Sequence, residues 1–340
     1  MKLGIIGLLA SGKTTVFETL TKNFSDGDNK SDNRVGTVKV PDSRVDILSE
    51  MYRPRKTIFA QVEYFLPGRL SGKKDQTTWT QVRDCDALIH VVRNFTGYGL
   101  ESPTPAADIR FVNQEMVLAD LIVVEKRLET LKLEKQRGKK FNSEEYALLE
   151  VCHATLEQEI PIRENPELSA APLLRGFTFI SAKPLLVLFN NGDEDVNPPE
   201  TDESTRKEEY IVLRGRLEHE LAQMSEEEAR DFLKEFEIEN PAMDRVIKKS
   251  YDLLGLISFF TVGEDEVRAW TISKGTAAVD AADVIHSDIK KGFIRAEVLY
   301  YEDLMAVGSY QNARKKGTVR LEGKTYPVVN GDIINFRFNV

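Results

Sequence analysis

MKLGIIGLLASGKTTVFETL (Met1–Leu20) passes from an apolar run through a loop of small residues into an amphipathic run. The apolar spacing predicts a buried strand over Lys2–Ile6 and a helix over Thr14–Asn23. Between them, Gly7-Leu8-Leu9-Ala10-Ser11-Gly12-Lys13-Thr14 satisfies G-x-x-x-x-G-K-[ST] in the strand-then-helix context that makes the pattern meaningful. Glycine lets such a loop turn successive N–H groups inward, and the following helix adds its positive N-terminal end. The candidate phosphate ligands are Leu9, Ala10, Ser11, Gly12, Lys13, Thr14 and Thr15. Lys13 is expected to reach the β- and γ-phosphates, and the Thr14 hydroxyl to sit on Mg²⁺ as the one candidate metal ligand. The competing reading is a loop retained for packing.

Hydrolysis needs more: a carboxylate for the magnesium shell, a segment closing over the γ-phosphate, and a group that orients water. The acid is normally written D-x-x-G at the end of a neighbouring strand. Here the stretch reads Phe65-Leu66-Pro67-Gly68, so the glycine stands and the acid does not. Glu63, on the same strand face as Phe65, is either a water-mediated substitute or structural. Ser31, Asp32 and Thr37, in the preceding loop, are the switch candidates. For the base, Asn190-Asn191-Gly192-Asp193 occupies the place of N-K-x-D. A carboxylate at Asp193 can accept from guanine N1–H and the 2-amino group, and Asn190 and Asp193 are the candidate base-side residues. A plain Asn-Gly-Asp turn is the alternative.

Outward from this site, Ile58–Leu66, Asp86–Val92 and Lys183–Asn190 read as further strands. Nearly continuous apolar strands separated by helical segments argue for a covered parallel α/β sheet. Phe24–Arg34 and 196–209 read as loops. Val117, Leu121, Val124, Leu128 and Leu131 repeat at helical spacing, as do Tyr146, Leu149, Cys152 and Leu156. That pattern predicts an antiparallel helical hairpin inserted into the α/β domain. Ser225 followed by Glu228 is a capping-box helix start. From Ile257 short alternating runs predict a separate, mostly β domain.

The chain has 340 residues, 41% hydrophobic and 30% charged, with net charge −9, enough for more than one core. Residues 257–340 carry eleven Lys+Arg and eleven Asp+Glu, so the negative excess lies upstream and this domain is the least repelled by a polyanion. No apolar run is long enough to span a membrane, and the N-terminus does not read as a signal segment, so a cytoplasmic protein without membrane contact is expected. Cys85 and Cys152 read as buried small hydrophobes. Four histidines show no ligand pairing, so no structural metal is expected.

The segments VKVPDSRVDILSEMYRPRK, DALIHVVRNF, NQEMVLADLIVVEKRLE and KPLLVLFN, and above all the stretches from Tyr251 to Leu304 and from Gly317 to Val340, resemble the YchF/Obg-like ATPase family. The resemblance implies an α/β P-loop NTPase domain with an inserted α-helical coiled-coil hairpin, plus a C-terminal β-grasp domain of the ubiquitin-like TGS type. The boundaries expected are 1–112 and 178–256 for the P-loop domain, 113–177 for the hairpin and 257–340 for TGS. The chain departs from the family pattern at Phe65, in the shortened segment after Gly68, between Lys22 and Val35, and at Asp193, where the family carries N-x-x-E. A later base loop falls at Arg214-Gly215-Arg216.

The expectation is a purine nucleotide-binding protein using ATP or GTP with Mg²⁺, slow or inactive in hydrolysis. It would act as a monomeric regulator on the ribosome or RNA through the TGS domain and hairpin, as the resemblance implies. A non-catalytic TGS adapter on a P-loop scaffold is the alternative. A small-molecule kinase, suggested by Ala10–Thr15, lacks any acceptor-binding feature.

Overall fold

In the computed structural model residues 1–24, 32–68, 76–139, 141–200, 208–235 and 241–339 are described. In chain order, β1 (Lys2–Ile6), α1 (Lys13–Thr21), β2 (Arg34–Lys39), α2 (Ser43–Tyr52), β3 (Lys56–Ile58), β4 (Gln61–Leu66), α3 (Gln76–Val82) and β5 (Ala87–Asn94) come first. Helices α4 (Pro105–Gln136), α5 (Ser143–Glu157) and α6 (Pro166–Ala170) follow, then β6 (Leu185–Asn191), β7 (Glu209–Leu213), α7 (Gly215–Gln223), α8 (Glu226–Glu235) and α9 (Ala242–Leu253). The remainder is β8 (Leu256–Val262), β9 (Glu266–Ser273), α10 (Ala278–Ile285), α11 (Ser287–Lys291), β10 (Phe293–Tyr300), α12 (Tyr301–Val307), α13 (Tyr310–Lys316), β11 (Arg320–Glu322) and β12 (Asp332–Phe338).

The chain separates into two compact units, one of Met1–Thr37 with Glu63–Val246 and one of Val38–Val62 with Ile247–Val340. The first is built on a sheet of order β2-β4-β1-β5-β6-β7, in which β4, β1, β5, β6 and β7 pair in parallel. Covering helices bury both faces, and every residue of β6 is buried. Its neighbours on either side of β1 come from different parts of the chain, which leaves a crevice at the carboxyl ends of the strands.

Helices α4 and α5 pack through Val117, Val124, Leu128 and Leu131 against Leu149, Cys152 and Leu156, the residues whose spacing predicts a hairpin. Helix α4 begins at Pro105, earlier than Asn113. Proline is tolerated in the first turn, where its missing N–H costs nothing, and the Thr104 hydroxyl donates to Asp108 there at 3.0 Å. Asp120, fully buried on α4, accepts from the Ile180 and Ser181 N–H groups at 3.1 and 2.7 Å and tethers this helix to the chain entering β6. Ser225 and Glu228 exchange the two capping-box hydrogen bonds at the start of α8. Cys85 and Cys152 are free and buried, and burial pushes both thiols up to about 11.

The second unit holds a mixed sheet of order β11-β10-β12-β8-β9-β3, with β12–β8 and β3–β9 parallel and the other pairs antiparallel. Two expectations change here. Ile58–Leu66 is not one strand: it breaks at Phe59-Ala60, and its halves join different sheets. An apolar run shows that a segment is buried but not in which sheet. The C-terminal part is not mostly β, since α10–α13 lie between its strands, and Ala278, Ala281 and Ala282 of α10 are wholly buried in its core.

Candidate nucleotide site

The loop after β1 is shaped by three left-handed residues, Gly7 (φ 144°), Ala10 (58°) and Gly12 (95°). A Cβ at Gly7 would stand 2.3 Å from the Val91 carbonyl oxygen, and one at Gly12 would stand 2.2 Å from Asn190 Nδ2. Neither position admits a side chain without moving the loop. Gly12 is also the N-cap of α1, which has no side-chain cap and no acid in its first turn. The helix therefore offers its first N–H groups and its partial positive charge undiminished, as an anion requires. Thr14 and Thr15 lie half-buried in that first turn, and Leu9 and Ala10 are exposed on the loop. Ser11 Oγ is buried without a hydrogen-bond partner among the described residues. Lys13 Nζ donates to the Gly7 and Leu8 carbonyls, each at 2.6 Å, so its ammonium stands over the mouth of the loop.

The base-side residues divide. Asn190 and Asn191 end β6 instead of opening the loop after it. Asn190 Nδ2 donates to the Ser11 carbonyl and its Oδ1 accepts from Gly215 N–H, both at 3.0 Å. It joins the phosphate-type loop to Arg214-Gly215-Arg216. Asn191 accepts from Asn94 Nδ2 and donates to the Asp195 and Asn197 carbonyls, which uses the amide for loop structure. Asp193 remains half-exposed, with Oδ2 4.0 Å from Arg216 Nε. A cavity of about 520 Å³ runs from Gly12 and Thr15 to Asp193 and Arg216, its wall completed by Phe95, Thr96 and His219. Its volume is in the range of small-molecule sites.

On the hydrolytic side the register is decisive. Lys2 pairs with Glu63 and Gly4 with Phe65, so Glu63 lies five residues back from the level of Gly7, roughly 16 Å along the sheet. It cannot reach a metal at Thr14, which leaves the structural alternative for Glu63. Phe65 is buried against Ile6, Trp79 and Val82, with Lys2 Nζ 4.3 Å from its ring centre. Thr37 is a residue of β2 and not of a loop; Asp32 is exposed just before it; Ser31 lies outside the described residues. Asn33 Oδ1 accepts from Gly68 N–H at 2.8 Å, linking the two segments from which switch residues are drawn.

A family model described as YchF-GTPase_C, protein of unknown function (DUF933), matches residues 256–339. The ribosome-binding ATPase YchF of Bacillus subtilis (strain 168) is 38% identical over 363 residues, covering 99% of each chain. The chain belongs to the YchF family. A second relative, the ribosome-binding ATPase YchF of Escherichia coli O157:H7, is 35% identical over 100% of this chain and 99% of its own. The solved structure of the Schizosaccharomyces pombe YchF GTPase matches with a TM-score of 0.84 at 29% identity, covering 99% of this chain and 97% of that one.

Within this YchF-family chain, sequence reasoning missed Phe95, Thr96 and His219 as cavity residues, whereas Arg216, from the expected later base loop, does line the cavity. His219 could be found only through the fold: its ring lies 3.3 Å from the Thr19 hydroxyl of α1 and meets Phe24 edge-on. His90 was missed as well. It pairs in register with Ile6, is fully buried, and has no hydrogen-bond partner at either ring nitrogen among the described residues. Burial, helped by the Lys13 and Arg163 charges, lowers its pKa to about 3, so the imidazole beside the loop strand is neutral.

Proposed function

We propose that this protein is a purine nucleotide-binding P-loop NTPase that works on the ribosome, with hydrolysis slow or absent. The carrying observation is a glycine-shaped, uncapped loop opening into a nucleotide-sized cavity beside a strand where Phe65 holds the place of the acid. The named relatives, ribosome-binding ATPases and a GTPase, support both the nucleotide and the ribosome.

The loop N–H groups from Leu9 to Thr15 hold the phosphates, Lys13 exchanges its two carbonyl bonds for phosphate oxygens, and Asp193 faces the base. Asn190 acts through the backbone as a positioning residue. Mg²⁺ fits only in part: Thr14 supplies one hydroxyl, and among the described residues no cluster of three or more His, Cys, Asp or Glu side chains is placed to hold a metal. The metal would arrive with the nucleotide and serve as charge neutraliser for its phosphates. The nucleotide part lies in 1–112 and 178–256 apart from 38–62 and 247–256, which belong to the second unit. The 113–177 hairpin and a 257–340 domain of TGS type carry the contact with the ribosome, the protein acting as a monomer in the cytoplasm. Among the described residues no helix is long and apolar enough to cross a membrane.

Calorimetric titration of nucleotide-stripped protein with non-hydrolysable ATP and GTP analogues, with and without Mg²⁺, tests the reading alongside Lys13→Ala and ribosome co-sedimentation. Binding of one analogue that is lost in Lys13→Ala, together with nucleotide-dependent co-sedimentation, is expected. Failure of both analogues to bind overturns it in favour of an adapter. Turnover is expected at or below the order of 10⁻³ per second, the scale of an unassisted P-loop GTPase.

A further inference from the structure

A second cavity, of about 620 Å³, lies wholly within the Val38–Val62 and Ile247–Val340 unit, beside the turn joining β8 to β9. Its apolar lining includes Trp270, Ile285, Ile289 and Phe336. Glu264, Asp265 and Glu266 also line it, and among the described residues no Lys or Arg does. Arg55 reaches Asp265 at 3.3 Å, but both side chains are more than four-fifths exposed, so solvent screens the pair and it neutralises little. Among the described residues no ion pair engages Glu264 or Glu266. Arg268 is laid on the Trp270 ring, 3.7 Å from its centre, and Lys56 of β3 stands opposite Glu266 in the register without an ion pair to it among the described residues. Tyr52 also lines the cavity, and its buried hydroxyl has no hydrogen-bond partner among the described residues.

An apolar recess of this size receives one or two side chains, and carboxylates at its rim select what flanks them. A nucleic-acid backbone would bring phosphates against three carboxylates, an arrangement opposed by charge repulsion. The even overall charge of residues 257–340 does not decide the partner; the local arrangement does. We propose that this groove binds a basic peptide segment of a protein partner. An aliphatic or aromatic side chain enters between Trp270, Ile289 and Phe336, and the Lys or Arg residues beside it meet Glu264 and Glu266. Nucleotide binding in the other unit is not required.

The test uses the full chain and the blocked peptide Lys-Lys-Leu-Phe-Lys-Lys, with Glu-Glu-Leu-Phe-Glu-Glu and a twelve-nucleotide oligouridylate as comparisons. Trp79→Phe leaves Trp270 as the single tryptophan reporter. Anisotropy of a fluorescein-labelled basic peptide on the unmodified chain gives a second readout that does not depend on that variant. A saturable shift in Trp270 emission with the basic peptide is expected. Glu264→Lys combined with Glu266→Lys should weaken its binding about tenfold or more without changing the melting temperature. Equal affinity in the charge-reversed variant, equal binding of the acidic peptide, a saturable Trp270 response to the RNA, or no response to the basic peptide would each overturn the proposal.

Discussion

Asn190 and Phe65 show how single side chains decide what the nucleotide cavity can do. The Asn190 amide closes two backbone bonds, to Ser11 and from Gly215, in a site with almost no solvent access. Asn190→Ala is expected to cost about 1–3 kcal/mol of stability and to weaken nucleotide binding, because buried backbone groups lose their partner. Denaturant unfolding and calorimetric titration of the same sample check both. Phe65→Asp would restore the acid on paper, yet it places a carboxylate among Ile6, Trp79 and Val82. The loss of the ring alone costs about 3–5 kcal/mol, and burial of the charge adds to it. The expected outcome is an unfolded or strongly destabilised protein; a variant that melts like the parent and turns over faster would contradict this. The glycine loop was legible because its spacing is local and its chemistry allows few alternatives. His219 was not legible, since it reaches the cavity only when α7 folds against α1.

At the level of elements, Glu297 is the clearest titrating feature. On β10, and almost wholly buried, it accepts from Tyr310 and Arg314 of α13 and from Arg337 of β12. Desolvation opposes its charge, but the bonds from Arg314, Arg337 and Tyr310 prevail and hold its pKa below the ordinary 4.5. A carboxylate depressed in the folded state adds stability that is present above the unfolded value and is lost as pH falls through the folded one. Stability should therefore decline below about pH 4.5 partly through this residue, and Glu297→Gln should flatten that acid limb while lowering stability at pH 7. Urea midpoints measured from pH 3 to pH 7 distinguish the two. Asp120 runs the other way: burial raises its pKa despite the Ile180, Ser181 and Arg83 partners, so its contribution falls as pH rises above the ordinary 3.8. The helical pair carrying Asp120 was legible from apolar spacing, whereas its start at Pro105 was not, because a proline in a Ser-Pro-Thr-Pro context reads as loop.

For the molecule as a whole, the division into units was the least legible feature. Residues 38–62 read as a continuation of the P-loop domain, but α2 and β3 belong with the C-terminal unit. Val45 and Leu48 of α2 are fully buried, Arg44 lies over the Phe260 ring, and β3 pairs along β9. No local pattern reports a partner some two hundred residues away. A fragment of 247–340 alone should consequently be loose, with the β9 edge uncovered, and should gain a cooperative thermal transition when a 38–62 peptide is added in trans. Circular dichroism melts with and without the peptide check this; an unchanged, cooperative transition in the fragment alone would show that 38–62 is dispensable. The same interleaving bears on biosynthesis. β3 leaves the translating machinery long before β9 exists, and at about 5–20 residues per second the wait is roughly 10–40 s. Throughout that interval the Val45–Leu48 face of α2 and the pairing edge of β3 are unclaimed in a nascent polypeptide, the period in which a chaperone has most to hold and a premature stop leaves most exposed.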